Sequence, residues 1–131
     1  MVTMKETDRF RGCLLGLAVG DALGTTVEFS ARGTFPTVTD MVGGGPFHLQ
    51  AGKWTDDTSM ALCLTTSLLD CGGFDARDQM ERYGRWAETG YLSSNGRCFD
   101  IGGTVARALR EYRKSGDPYS GSTSPQSAGN G

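Results

Sequence analysis

Two adjacent carboxylates set between hydroxyls, in Trp54-Thr55-Asp56-Asp57-Thr58-Ser59-Met60, are the residues of this 131-residue chain best suited to chemistry. Neighbouring carboxylates repel when both are ionised, so one holds its proton more tightly unless a cation screens the pair. Hard divalent cations such as Mg²⁺, Ca²⁺ and Mn²⁺ take oxygen ligands of this kind. The same residues also fit a plain helix start, with Thr55 or Asp56 as N-cap and the acids favoured by the helix dipole. Local residues alone leave both readings open. Three further acids stand out. Asp21 lies inside an apolar helical pattern, where a buried acid needs a partner or a metal. Glu28 follows where that pattern fades, and Asp100 has an N-cap reading ahead of another helical run.

Composition narrows the classes. A formal net charge of −2 with interspersed signs provides no basic field for nucleic acid. The four cysteines form no C-x-x-C pair and His48 is the one histidine, so a zinc site of such ligands is not expected. Cys13, Cys63 and Cys71 sit within apolar helical patterns, which predicts reduced, buried thiols in a cytoplasmic protein. The apolar stretch 13–20 is closed by Asp21 and is too short to span a bilayer, and no signal peptide is read.

The elements that must position these residues read as helices. Residues 8–28 carry Leu14, Leu17, Ala18 and Val19 at helical spacing, with Thr7 or Asp8 as cap. Gly12, Gly16, Gly20 and Gly24 recur on one face of that helix. Each costs roughly 1 kcal/mol relative to alanine, which predicts a central helix, buried among neighbours, whose glycines admit close backbone approach. Residues 30–53 read as a long loop that is functional or covers something. Its Gly43-Gly44-Gly45 lacks the Lys and Ser/Thr of a phosphate loop, and His48 is read as a loop residue.

A second helix spans about 56–71, with Met60, Leu64, Leu68 and Cys71 on one stripe and Gly72-Gly73 as its stop. A third, about 75–89, opens on a capping-box-like Asp75/Asp78 pair and ends at Gly90, with Met80, Tyr83, Gly84 and Ala87 inward. In a fourth, Val105, Ala106, Leu109 and Tyr112 face inward while Arg107, Arg110, Arg113 and Lys114 face solvent. By composition alone, residues 120–131 read as a linker or tail. No period-2 alternation occurs, so the fold class is all-α.

Four blocks together resemble the ADP-ribosylglycohydrolases, the family of the dinitrogenase reductase-activating glycohydrolase. They are Gly16-Leu-Ala-Val-Gly20-Asp21-Ala22-Leu23-Gly24 with Glu28 following, Lys53 through Met60, Phe99-Asp100-Ile101-Gly102, and Ser127-Ala128-Gly129-Asn130-Gly131. The resemblance runs through essentially the whole chain. It implies an orthogonal helical bundle and a binuclear Mg²⁺ or Mn²⁺ site, with Thr55, Asp56 and Asp57 among the ligands. Glu28 matches an acid near the metals and the scissile bond that is mobile in some members. Asp100 matches an acid of the substrate loop assigned to catalysis in some members; Gly102 belongs to the same loop. Residues 120–131, with Ser127, Gly129, Asn130 and Gly131, match a loop that wraps the phosphates and ribose of ADP-ribose. Asp21 carries no ligand role over and is read as structural support.

The implied reaction is hydrolysis of the bond joining ADP-ribose to a protein side chain or a related ADP-ribosyl small molecule. Asp100 and Glu28 would serve as proton donor and acceptor. One departure is plain. Family members are longer and carry further metal ligands in a C-terminal Asp-x-Asp-Thr block that is absent from residues 1–131. The chain is therefore expected to be the N-terminal half of the domain, ending inside the phosphate-loop motif, and to be poorly stable and inactive alone. The alternatives are a non-enzymatic ADP-ribose-binding or structural relative, and a helical scaffold whose acids only start a helix.

Overall fold

Propensity and capping divide residues 4–127, the span that the computed structural model describes, into four α-helices joined by irregular loops. Helix α1 spans Met4–Gly24 and runs into a 3₁₀ turn at Thr25–Val27; α2 spans Asp56–Asp70, α3 Ala76–Thr89 and α4 Gly103–Ser115. A second 3₁₀ turn, Pro125–Ser127, closes the described span. Among the described residues the sole sheet-like feature is one antiparallel bridge, Gly44 to Leu49. The all-α expectation holds.

Local signals set α3 as read. Asp75 accepts hydrogen bonds from the Arg77 and Asp78 amides, and Gly90 closes the helix in the left-handed region at φ 71°. A side chain at Gly90 would run into the Arg97 backbone, so glycine there also lets the 91–100 loop fold back against the helix.

The core lies between α2 and α3. Cys63 and Trp86 are essentially fully buried, at 0% and 1% exposure. On α2 the buried stripe is Ser59, Cys63 and Ser67, and the Cys63 thiol donates to the Arg82 carbonyl of α3 at 3.7 Å. This corrects the expected stripe. Met60 and Leu64 are half-buried, and Leu68 and Cys71 are exposed, because small side chains on the neighbouring face bring the two backbones together. Arg82 of α3 ties the same pair of helices through Asp70 of α2 at 2.9 Å, and pairs with Asp78 on its own helix at 2.6 Å. Its hydrogen bond holds the Asp78 carboxyl down at about 2. Leu109 of α4 is buried, and Arg107, Arg110, Arg113 and Lys114 are exposed as expected.

Helix α1 departs most from expectation. It starts at Met4, upstream of the Thr7 or Asp8 cap, and gives way to the 3₁₀ turn after Gly24. Far from being enclosed, it exposes Phe10 (65%), Leu15 (65%) and Val19 (50%). A Cβ built at Gly12, Gly16, Gly20 or Gly24 meets nothing within 4 Å, so no described element makes the expected close approach. Cys13 and Cys71 are likewise exposed rather than buried, and Cys63 is the buried thiol. Asp100 does not cap α4. It sits at φ 57°, and Gly102 takes the N-cap position.

In the 131-residue chain, Gly12→Ala and Gly16→Ala should therefore each stabilise by about 0.5–1 kcal/mol, since they relieve backbone entropy and meet no obstacle. Thermal denaturation measures this, and a lowered melting temperature would reveal a close neighbour.

Candidate active site

The last turns of α1 meet the first turn of α2, and Asp21 joins them. Its Oδ1 accepts from the Thr55 hydroxyl at 2.8 Å and its Oδ2 from the Thr58 hydroxyl at 2.6 Å. The Thr55 amide bonds both carboxylate oxygens at 3.0 Å, and the Thr58 amide bonds Oδ2 at 3.0 Å. Thr55 makes no side-chain cap bond of its own, so α2 is capped from another helix. Both threonines are 4% exposed. The expected structural role of Asp21 is what its hydrogen bonds perform.

Two loops bring in the other acids. Glu28 follows the 3₁₀ turn, with the Thr25 hydroxyl donating to it at 3.5 Å. The next residue, Phe29, lies at φ 60°. Phe29 meets Phe47 edge-on at 6.3 Å between centroids, and Phe47 meets Phe99 at 5.4 Å. Neighbours of both acids, Glu28 and Asp100, thus pack on one ring. On the other side, Lys53 donates to the Ser94 carbonyl at 2.5 Å, and the Ser94 hydroxyl donates to the Trp54 carbonyl at 2.6 Å. These bonds fasten the loop carrying Asp100 to the entry of α2.

The result is an open cleft of about 250 Å³, lined by Asp21, Thr25, Glu28, Thr55, Asp56, Asp57 and Asp100 together with Gly20 and Gly24. Burial, then the charges of Asp100 and Asp57, push the Asp56 carboxyl up to about 6. Burial and the adjoining Glu28 carboxyl push Asp100 up to about 6. Glu28 is raised by burial, against a hydrogen bond with Asp100, and by the Asp56 charge. Carboxyls raised toward neutrality in one partly dry cleft are the kind of groups that donate and accept protons in catalysis.

Of the residues singled out from sequence, Glu28, Thr55, Asp56, Asp57 and Asp100 converge on this cleft. Gly102, at the start of α4, and Ser127, in the last 3₁₀ turn, are not among its lining. Gly129, Asn130 and Gly131 lie outside the described residues. Sequence reading missed Thr25 and the cleft-lining places of Gly20 and Gly24. For the glycines the signal was present but misassigned: a missing side chain that leaves the cleft open spaces just like one that admits a neighbour.

Thr55, Asp56 and Asp57 offer hard oxygen donors, the chemistry that Mg²⁺ or Mn²⁺ takes. Among the described residues, however, no three His, Cys, Asp or Glu side chains converge to hold an ion. The donor type fits such a cation; the donor number makes only part of a ligand set.

A family model for ADP-ribosylglycohydrolase matches residues 3–131. The chain belongs to that family. It is 54% identical over 126 residues to the ADP-ribosylarginine hydrolase Tri1 of Serratia proteamaculans, covering 96% of this chain and 34% of that protein. It is 41% identical over 120 residues to the ADP-ribosyl-[dinitrogen reductase] glycohydrolase of Rhodospirillum rubrum, covering 86% of this chain and 38% of the relative. A solved ADP-ribosylglycohydrolase-related protein complex superposes with a TM-score of 0.74 at 52% identity, over 88% of this chain and 36% of that one. The chain thus spans about a third of the length of these relatives, rather than the expected half.

A carboxyl whose value is raised on folding binds its proton more tightly in the native state, so its contribution to stability is present below the ordinary value and lost as pH rises to about 6. In the 131-residue chain without added metal, Asp100→Asn should raise the melting temperature at pH 7.5. The gain should vanish below about pH 4, where the acids are protonated in both states. A lower melting temperature at pH 7.5 would mean that the Asp100 carboxylate is a net stabiliser.

Proposed function

We propose that this chain carries part of the active site of a hydrolase that releases ADP-ribose from modified protein side chains, with the N-glycosidic bond to arginine as the linkage. The linkage is inferred from the ADP-ribosylarginine hydrolases of Serratia proteamaculans and Pseudomonas putida, 54% and 52% identical. A protein substrate is supported by the relative named for dinitrogen reductase. The observation that carries the reading is the run of interacting carboxyls, Glu28 to Asp100 to Asp56, in one cleft with Thr55 and Asp57.

Glycoside cleavage needs one group to protonate the leaving atom and another to take a proton from water, around an oxocarbenium-like transition state. Asp100 and Glu28 supply these roles, both raised above the ordinary carboxylate range by burial. A divalent cation, Mg²⁺ or Mn²⁺, held in part by Thr55, Asp56 and Asp57, supplies charge that orients ribose hydroxyls and acidifies water when bound. A concentration of carboxylates in this cleft suits the ribose at the scissile bond better than a diphosphate. A diphosphate would be repelled here, so the phosphates belong outside it, and the 127–131 motif is their candidate holder. Four free cysteines accord with a cytoplasmic setting.

The test is release of ADP-ribose from an ADP-ribosylarginine protein by the chain continued to family length. Release should require Mg²⁺ or Mn²⁺, fall by about 10²–10⁴-fold in Asp100→Asn, and be abolished in Asp57→Asn. Unchanged turnover in Asp57→Asn contradicts the metal assignment. The 131 residues alone should show negligible release and weak Mn²⁺ binding by calorimetry, given the incomplete donor set.

A further inference from the structure

Asp21 has more to do than join two helices. The Thr55 hydroxyl carries a single proton, and two acceptors stand within reach: Asp21 Oδ1 at 2.8 Å and Asp56 Oδ1 at 3.3 Å. Whichever acceptor takes it decides where the oxygen lone pairs point and whether Asp56 is engaged. The shorter bond is to Asp21. Asp21 Oδ1 has one other donor, the Thr55 amide, while Oδ2 takes the Thr58 hydroxyl and both amides. Each donor in the group therefore has its acceptor on Asp21, and neither threonine needs Asp56.

We propose that Asp21 is a positioning residue that takes the Thr55 proton, so that the Thr55 lone pairs and the Asp56 carboxylate are left to face a hard cation in the cleft. The inference rests on the reading of the cleft as a cation site, and adds the group that sets its hydroxyl polarity. Partners one step removed from a metal fix ligand orientation in this way, and losing them weakens metal affinity about 10–100-fold.

Asp21→Asn inverts that polarity with little change of shape. Oδ2 accepts from two amides and a hydroxyl, so the asparagine carbonyl must take its place. The NH₂ then stands at the Oδ1 position and donates to the Thr55 oxygen. One lone pair becomes occupied, and the Thr55 proton turns to Asp56.

The probe is Tb³⁺, a hard cation that takes oxygen ligands, with binding read by isothermal calorimetry. It is titrated into the 131-residue chain, with circular dichroism reporting the fold. Asp21→Asn and Thr55→Val should each weaken Tb³⁺ binding about tenfold, and the double variant should be no weaker than either single one. That coupling separates positioning from the bare loss of a negative charge, for which the two losses would add. Thr58→Val removes a hydroxyl that bonds Asp21 outside the cleft lining, and should keep affinity within about twofold despite a lower melting temperature.

Should Asp21→Asn not fold, the contrast between Thr55→Val and Thr58→Val decides, and equal losses in the two overturn the proposal. Additive losses, or unaltered affinity in folded Asp21→Asn, overturn it as well. If Asp56→Asn binds Tb³⁺ as the unmutated chain does, the cation reading itself fails, and this inference with it.

Discussion

One half-buried carboxylate holds the arrangement together. Asp21 accepts from two amides and two hydroxyls at the start of α2, from Thr55 and Thr58, all at 2.6–3.0 Å, and so fulfils for that helix what an N-cap usually does from within the same segment. Ionised acceptors make the stronger hydrogen bonds, and satisfaction from several sides is what lets a charge stay in a half-buried place. The acidic first turn of α2 gains a fixed position relative to α1, and with it a fixed distance to Glu28 just beyond the end of that helix.

The cleft that results works against folding. Burial and mutual repulsion raise Asp56, Asp100 and Glu28 together, which marks a site built to hold carboxyls closer than they would choose. Its backbone shows the same pressure, for Phe29 and Asp100 both adopt the left-handed region that non-glycine residues avoid. The Phe29–Phe47–Phe99 contacts and the Lys53–Ser94–Trp54 bonds are what restrains those loops. Against these costs stands a small core. Trp86, Cys63 and Leu109 are buried, while α1 keeps Phe10, Leu14, Leu15, Leu17 and Val19 substantially exposed.

Legibility from sequence followed the range of the interaction. The Asp75 cap and Gly90 stop of α3 depend on neighbours a few residues away, and were readable as written. So was the polar face of α4, because four basic side chains at helical spacing leave little choice. The buried face of α2 was not readable, since Ser59, Cys63 and Ser67 look like no hydrophobic stripe until α3 is against them. Apolar patterning on α1 told of a face that could be covered, and said nothing of whether a described element covers it. Asp100 looked like a helix cap because an acid near a helix start usually is one; a left-handed turn two residues ahead of the true cap carries no such signature. That Glu28 and Asp100 share a site came from family resemblance alone.

The site depends on the Asp21 bonds to the start of α2, and amide hydrogen exchange of the 131-residue chain reads them directly. Amides in the first turn of a helix ordinarily exchange fast, because no carbonyl of their own helix accepts from them. Here the Thr55 and Thr58 amides should be protected to the level of amides in the middle of α2. Exchange of both at the rate of the exposed loops would contradict the account.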